Sequence, residues 1–439
     1  MNILIVKLSA IGDVIHTLPA LAALRRLYPD ADITWVVEEA AADLLADHPD
    51  LNRVIVSRRK TWLSGLRRGL IIKSLGEMRA FLRELRSRRY DLVIDFHGLL
   101  KSAVIVFLSG GKRKLGYASL QEGSGLFYNE KIPEDLGRHA VDRYLDFVRY
   151  LAAGRDDRGA TCLAAAPEFT IAVGEEERRH VEALLDEHSG IMTTGESGGE
   201  NDGSGGERAV ERSFWKDVNQ PLEARKEALG EEAGLSSSAV EGERPQRQGS
   251  GNEARVSNFQ QSGEVRGRTL AMDGERSDFG RLDFVAVNPV AFWETKLWGD
   301  EKFAELCDRI RTELGIGVVL TGGKAEPLER IRAKMKTGAV NLGGKTSLRE
   351  LACLYRQAAL VVSTDSGPMH LAAGGGTPVV ALFGPTDPTR TGPYGPGHRV
   401  IRGDLSCSPC FRKHCEDPRC MKGIGVEEVF TAVKDTLGK

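Results

Sequence analysis

The sequence predicts an α/β protein whose two halves each build a parallel sheet covered by helices. Three observations carry that prediction. Short apolar strand patterns alternate with helical patterns towards both ends of the chain, as parallel sheets require. From Ala359 to Tyr394 the pattern runs strand, polar turn, small-residue helix, strand, which is one βαβ unit. Strands of the C-terminal half end in polar or glycine residues, at the edge where open α/β sheets bind ligands.

In chain order, Asn2–Lys7 is predicted as a strand and Val14–Leu27 as a helix, with Asp13 placed as its N-cap. Asp32–Val37 reads as a strand, Ala40–Leu45 as a short helix and Arg53–Val56 as a strand. A long basic helical region covers about Ser74–Arg88, Asp91–Phe96 is a strand, and His97-Gly98 leads into a helix from Leu99. In the second half Phe284–Asn288 is a strand and Asp300–Leu314 a helix with Phe303, Leu306 and Ile310 on one face. Gly317–Leu320 is a strand, Leu328–Met335 a helix and Ala339–Leu342 a short strand. Ser347–Gln357 carries a capping box, Ser347 with Glu350 three residues on. The βαβ unit follows, and Val426–Leu437 is a final amphipathic helix.

The 439 residues allow two or three domains. The expected division is 1–185, an insertion at 186–278, and 279–439, with the last helix placed to reach back to the first domain. Gly, Glu, Ser, Arg and Gln dominate the insertion. Its apolar content is too low to offset the ordering entropy of a core, so disorder is expected, with transient helix near Gln220–Ala233. A small polar subdomain is the alternative. A formal net charge of −2 argues against a general nucleic-acid binder. The first apolar run, Ile3–Val6, is stopped by Lys7 and is too short for a signal sequence or a membrane span. A cytoplasmic protein with peripheral membrane contact at most is therefore expected.

Several residues point to chemistry. Ser366 and Gly367 sit at a predicted helix start with Pro368 at its first position. Free N–H groups and the helix dipole suit such a site to phosphate, and Lys296 can add a cation. Asp365 and Ser366 can equally be simple caps. Asp13 is either a cap or a general base facing a cleft, and His16 reads as a packed or surface residue. No G-x-G-x-x-G follows the first strand and no P-loop motif is present, which removes the main support for a nicotinamide or P-loop protein. Arg58-Arg59-Lys60, Arg67-Arg68 and Arg83–Arg89 form basic stretches, suited either to solvated helix faces or to anionic lipid head groups. Of seven cysteines, Cys162, Cys307 and Cys353 are scattered, while Cys407, Cys410, Cys415 and Cys420 cluster. The cluster is a candidate structural zinc site with His414 nearby, set against free or oxidisable thiols.

Five motifs in order carry a family resemblance: Lys7-Leu-Ser-Ala-Ile-Gly-Asp-Val-Ile-His-Thr-Leu-Pro19, Asp95-Phe-His-Gly-Leu-Leu-Lys-Ser-Ala103, Lys296-Leu-Trp298, Ser363-Thr-Asp-Ser-Gly-Pro-Met-His370 and Phe383-Gly-Pro-Thr-Asp-Pro388. Together they resemble the ADP-heptose:lipopolysaccharide heptosyltransferases of glycosyltransferase family 9, over about 1–185 and 280–439. The runs at 98–103 and 384–388 are closer to the members that add the first heptose to Kdo. The resemblance implies a GT-B fold, two Rossmann-like domains facing across a cleft, acceptor on the first and nucleotide sugar on the second. It implies an inverting transfer that requires no metal or other cofactor, on the inner face of the cytoplasmic membrane of a Gram-negative bacterium. The partners implied are an ADP-heptose donor, a Kdo-lipid A acceptor and an anionic membrane surface. Asp13 matches the proposed base and Lys296 the residue that steadies the leaving diphosphate. Asp365, Ser366, Gly367 and His370 match the donor loop, Glu326 a ribose-binding carboxylate and Thr346 the residue beside the adenine. Ser9, Gly12 and Lys101 fall on the acceptor side. The type that adds the first heptose has phosphate-contacting threonines before the lysine. Here that stretch is Ala291-Phe292-Trp293-Glu294-Thr295, leaving Thr295 or backbone N–H groups to replace them. A second-heptose or other core transferase, a nucleotide-sugar epimerase on the same scaffold and a metal-bearing scaffold stay open as alternatives.

Overall fold

The computed structural model describes residues 1–119, 121–153, 165–188, 255–257, 284–403 and 405–439. The disorder expected of the insertion at 189–254 and 258–278 and the transient helix at 220–233 lie outside the described residues, as does Cys162.

The first sheet holds β1 (Asn2–Val6), β2 (Asp32–Glu38), β3 (Arg53–Ser57), β4 (Leu92–Asp95), β5 (Arg113–Tyr117) and β6 (Glu130–Ile132). Their order is β3-β2-β1-β4-β5-β6, all parallel. The second sheet holds β7 (Arg255–Ser257), β8 (Phe284–Asn288), β9 (Gly317–Leu320), β10 (Val340–Asn341), β11 (Leu360–Thr364), β12 (Val379–Phe383) and β13 (Arg399–Arg402). Its order is β10-β9-β8-β11-β12-β13-β7, parallel except for β7, which pairs antiparallel with β13. β7 lies inside the segment expected to be disordered. Leaving β7 aside, both sheets have the doubly wound Rossmann order, whose reversal between the first and fourth strands opens a ligand crevice.

The N-terminal helices are α1 (Ile11–Leu27), α2 (Glu39–Ala42), α3 (Arg59–Arg67), α4 (Ile71–Leu85), α5 (Leu100–Leu108), α6 (Ala140–Ala152) and α7 (Glu175–Asp186). The C-terminal ones are α8 (Asp300–Leu314), α9 (Ala325–Arg332), α10 (Leu348–Gln357), α11 (Gly367–Gly374), α12 (Pro388–Thr391), α13 (Arg419–Lys422) and α14 (Val426–Leu437). Strands β1, β4, β8, β9, β11 and β12 are buried throughout or nearly so, as expected of parallel strands covered on both faces. The capping box at Ser347 and Glu350 forms as the sequence predicts.

Three expectations are corrected. Helix α1 starts at Ile11 and not at Val14, so Asp13 is its third residue and not its N-cap. Ala10 is the N-cap, and the Asp13 carboxylate reaches back to accept its N–H at 3.2 Å. An alanine cap has no side-chain acceptor, so the carboxylate three residues on takes up the orphan donor. Pro368 is the second residue of α11, after Gly367. The last helix, α14, packs against α8 and the C-terminal sheet and not on the N-terminal half, because Val429, Phe430 and Val433 join the core of the second sheet.

The halves meet along α1 and α11. A Cβ on Gly12 would sit 2.4 Å from the His370 ring, and one on Gly367 would sit 3.0 Å from Ile11. Farther out, Arg349 of α10 pairs with Asp47 at 3.1 Å and Glu177 at 3.2 Å and donates to the Ala172 carbonyl at 2.7 Å.

Candidate active site

Between the halves lies a cavity of about 1110 Å³. Its walls are the carboxyl ends of both sheets, at the two strand-order reversals. From the first come the loop after β1 and the start of α1, and from the second the ends of β8, β9 and β11.

On the N-terminal wall Asp13 is 38% exposed, open enough to meet a ligand. Tyr144 donates its hydroxyl to Asp13 Oδ1 at 3.4 Å. Burial pushes the Tyr144 pKa well up, so the phenol keeps its proton. Lys7 lies behind this pair, fully buried. Its Nζ donates to the Tyr144 hydroxyl at 2.6 Å and the Phe96 carbonyl at 3.1 Å, and stands 4.0 Å from Asp13 Oδ2. Burial lowers the Lys7 pKa, against the pull of Asp13 and Asp95. Beside them Lys101 donates to Ser9 Oγ at 3.0 Å and lies 3.7 Å from buried Glu38, which also draws Arg59 and Lys60.

On the C-terminal wall Lys296 Nζ is 2.7 Å from Asp365 Oδ2 and sits over the Trp293 ring. Thr386 donates to the same carboxylate oxygen at 2.5 Å. Ser366 is the N-cap of α11 and its hydroxyl lies 3.3 Å from that of Ser363. Gly322, Gly323 and Thr346 complete this wall. The first turns of α1 and α11 both open on the cavity, so free N–H groups and positive dipole ends come from both sides.

Beneath the cavity lies a histidine cluster, of which His16 and His370 reach the lining. His16 Nε2 and His370 Nδ1 share a hydrogen bond at 2.9 Å, joining α1 to α11. His139 packs edge-on against His16 and donates from Nε2 to the Gly392 carbonyl at 3.0 Å, a second bond between the halves. Burial lowers the pKa of all three: well below the ordinary value for His16, and to about 4 for His370.

A family description, Glycosyltransferase family 9 (heptosyltransferase), matches residues 78–183 and 236–420, more than half of the chain. The chain belongs to glycosyltransferase family 9. It is 28% identical to lipopolysaccharide heptosyltransferase 1 of Pseudomonas aeruginosa, over 100% of this chain and 98% of the relative. It is 40% identical to lipopolysaccharide heptosyltransferase 1 of Escherichia coli K12 over 150 residues, 33% of this chain and 45% of the relative. The fold is that of the solved E. coli heptosyltransferase WaaC with ADP, at a TM-score of 0.60 and 22% identity, over 99% of this chain and 100% of that one. As a family 9 heptosyltransferase, the chain is an enzyme on a GT-B scaffold.

The structure brings together Ser9, Gly12, Asp13, Lys296, Thr346, Asp365, Ser366, Gly367 and His370 around the cavity. Lys101 stands one hydrogen bond behind the lining, through Ser9. Glu326 does not line the cavity. Its side chain is 82% exposed and 3.6 Å from Arg330. Thr295 is corrected as a replacement phosphate contact: it is buried, and its hydroxyl donates to the Arg412 carbonyl at 2.8 Å. Phe292 and Trp293 line the cavity in its place. Among the described residues no three His, Cys, Asp or Glu side chains are placed to hold a metal ion. Cys407, Cys410, Cys415 and Cys420 are all free thiols, spread from exposed to buried.

Lys7, Tyr144, His139 and Thr386 were given no role in the site from the sequence, although Lys7 and Thr386 lie inside its motifs. Lys7 carried two signals, closing an apolar strand pattern and opening the first motif. Tyr144 and His139 carried none, because they reach the site from α6 and the residue before it, about 130 residues beyond Asp13.

Proposed function

We propose that this enzyme moves heptose from ADP-L-glycero-D-manno-heptose to the Kdo residue of Kdo-lipid A, with inversion at the anomeric carbon, in assembly of the lipopolysaccharide inner core. The observation that carries this reading is the opposition of Asp13 and Lys296 across one cavity, each beside a helix start at a strand-order reversal. The full-length likeness to a lipopolysaccharide heptosyltransferase 1 supports the acceptor, and the ADP held by a solved relative supports the donor.

In this reading Asp13 accepts the proton of a Kdo hydroxyl as its oxygen attacks C1 of the heptose. The new C1–O bond forms on the face opposite the leaving group. The C1–O bond to phosphate breaks, and its electron pair leaves on the diphosphate of ADP. Lys296 and the N–H groups at the start of α11 meet that charge, so no step calls for a metal ion. Lys296 must turn from Asp365 towards phosphate, and Thr386 continues to hold the carboxylate. Asp365, Ser366, Gly367, His370 and Thr346 hold the donor, and Ser9, Gly12 and Lys101 the acceptor. Glu326 reaches the ribose only if its side chain swings from Arg330 into the cleft. The enzyme works at the inner face of the cytoplasmic membrane, and among the described residues no helix is long and apolar enough to cross one.

The test is transfer from ADP-heptose to Kdo-lipid A or to its monoheptosylated form, with the anomeric configuration of the product read by NMR. The expected product is an inverted heptoside on Kdo. Transfer only to the monoheptosylated acceptor would assign the second heptose to this enzyme. Sugar release without an acceptor would favour an epimerase.

A further inference from the structure

The hairpin formed by α3 and α4 presents an apolar surface that packs on nothing among the described residues. Leu63, Leu70, Ile71, Ile72, Leu75 and Met78 are all open to solvent, with Ile72 at 90% exposure. This is not the hairpin's core face. Trp62 and Phe81, with ring centroids 5.3 Å apart, and buried Leu85 already fill that role. Ile71, Leu75 and Met78 follow the i, i+4, i+7 spacing of a single helix face. The helices are held close, since a Cβ on Gly65 would lie 2.3 Å from Ser74 Oγ, and Gly69 turns the chain at φ +78°. The strip is therefore presented on a built element and not on a loose loop.

Charge says what covers it. Between Arg58 and Arg89 the chain has eleven Lys and Arg and two Asp and Glu, within a protein of net charge −2. Arg67, Arg68 and Lys73 flank Leu70-Ile71-Ile72 at the tip, and none of their side chains has an ion-pair or hydrogen-bond partner among the described residues. An apolar strip ringed by unpaired cations matches an anionic bilayer, with acyl chains below and phosphates at the level of the cations. Leu63, Arg67, Arg68, Leu70 and Lys73 also line the cleft, so the strip begins at the cavity mouth.

We propose that the α3–α4 hairpin seats this enzyme on anionic phospholipid membranes, inserting Ile71, Ile72 and Leu75 among the acyl chains with Arg67, Arg68 and Lys73 on the lipid phosphates. The cavity mouth then faces the bilayer, and a lipid-linked acceptor enters without leaving it. That last consequence rests on the transferase reading above, whereas the membrane contact does not.

The test is sedimentation of the full chain with vesicles of phosphatidylglycerol and phosphatidylcholine, or of phosphatidylcholine alone. The parent protein should bind the anionic vesicles, and less as salt rises. The combined variant Ile71→Ser, Ile72→Ser, Leu75→Ser should lose at least tenfold in binding, while transfer to a deacylated, water-soluble acceptor stays within twofold. Arg67→Gln with Arg68→Gln, at exposed positions, should remove the salt dependence and tests the charge half separately. Serine and glutamine variants that sediment like the parent would overturn the proposal. So would a shift from dimer to monomer in the serine variant without loss of vesicle binding, which would make a second copy the occupant. The vesicle measurement contains no sugar, so failure of transfer with every acceptor strikes the enzymatic reading and leaves the membrane contact to be judged alone.

Discussion

The two walls of the cleft are built from the same strand order but carry their charge differently. On the C-terminal wall Lys296 is bound to Asp365, and Thr386 holds the same carboxylate. On the N-terminal wall Lys7 is buried behind a partly exposed Asp13, and Arg67, Arg68 and Lys73 line the mouth without ion partners among the described residues. A wall that holds a diphosphate can be preorganised by one internal ion pair that the ligand replaces. A wall that must remove a proton and receive a lipid-linked anion keeps a carboxylate accessible and unpaired cations at its mouth.

The comparison can be broken at either wall. The largest effect is expected at Asp13. Asp13→Asn should lower turnover roughly 10²–10⁴-fold, the range for removal of a general base, measured as initial rates of heptosyl transfer. Next comes Lys296→Met, which should lower turnover about 10²–10³-fold by removing charge stabilisation of the leaving group. It also leaves buried Asp365 without its cation, so a loss of stability of about 3 kcal/mol is expected in denaturant titration. Unchanged stability would mean that the ion pair does not form in solution. Tyr144→Phe keeps the ring that packs on Phe96 and removes the hydroxyl that donates to Asp13 and accepts from buried Lys7. A three- to tenfold fall in kcat, on the order of one hydrogen bond, is expected with ADP binding unchanged.

The seam between the walls gives a pH prediction. His16, His139 and His370 resist protonation in the folded protein, His370 down to about pH 4. The unfolded chain takes up those protons from about pH 6.5. Between these limits the unfolded state binds more protons, so stability is full above about pH 6.5 and falls as pH drops towards 4. Melting temperature should decline through that window, and His16→Gln should flatten the decline. An equal slope in the variant would remove His16 from the account. The smallest effect is expected from Thr295→Val: transfer within twofold of the parent, because its hydroxyl is bound to Arg412 away from the cleft.

Much of this was legible in the sequence for a physical reason. Buried parallel strands such as Phe284–Asn288 and Val379–Phe383 are short, nearly continuous apolar runs, as strands covered on both faces must be. β5, β6 and β13 went unread because Arg113–Tyr117, Glu130–Ile132 and Arg399–Arg402 are short and carry charges that leave at the sheet margin. The start of α1 was misplaced because an aspartate before an apolar run suits both an N-cap and a third helical position, and only the Ala10 backbone separates the two. Motif residues of the site were readable because each follows its own strand. The histidine cluster was not, since His16 and His370 meet only when the halves dock.

The central claim, that one wall activates the acceptor and the other holds the donor, is tested most directly by calorimetric ADP binding to Asp13→Asn and Lys296→Met side by side. The account predicts that Asp13→Asn binds ADP within twofold of the parent while Lys296→Met loses at least tenfold. Equal losses in the two variants would contradict it.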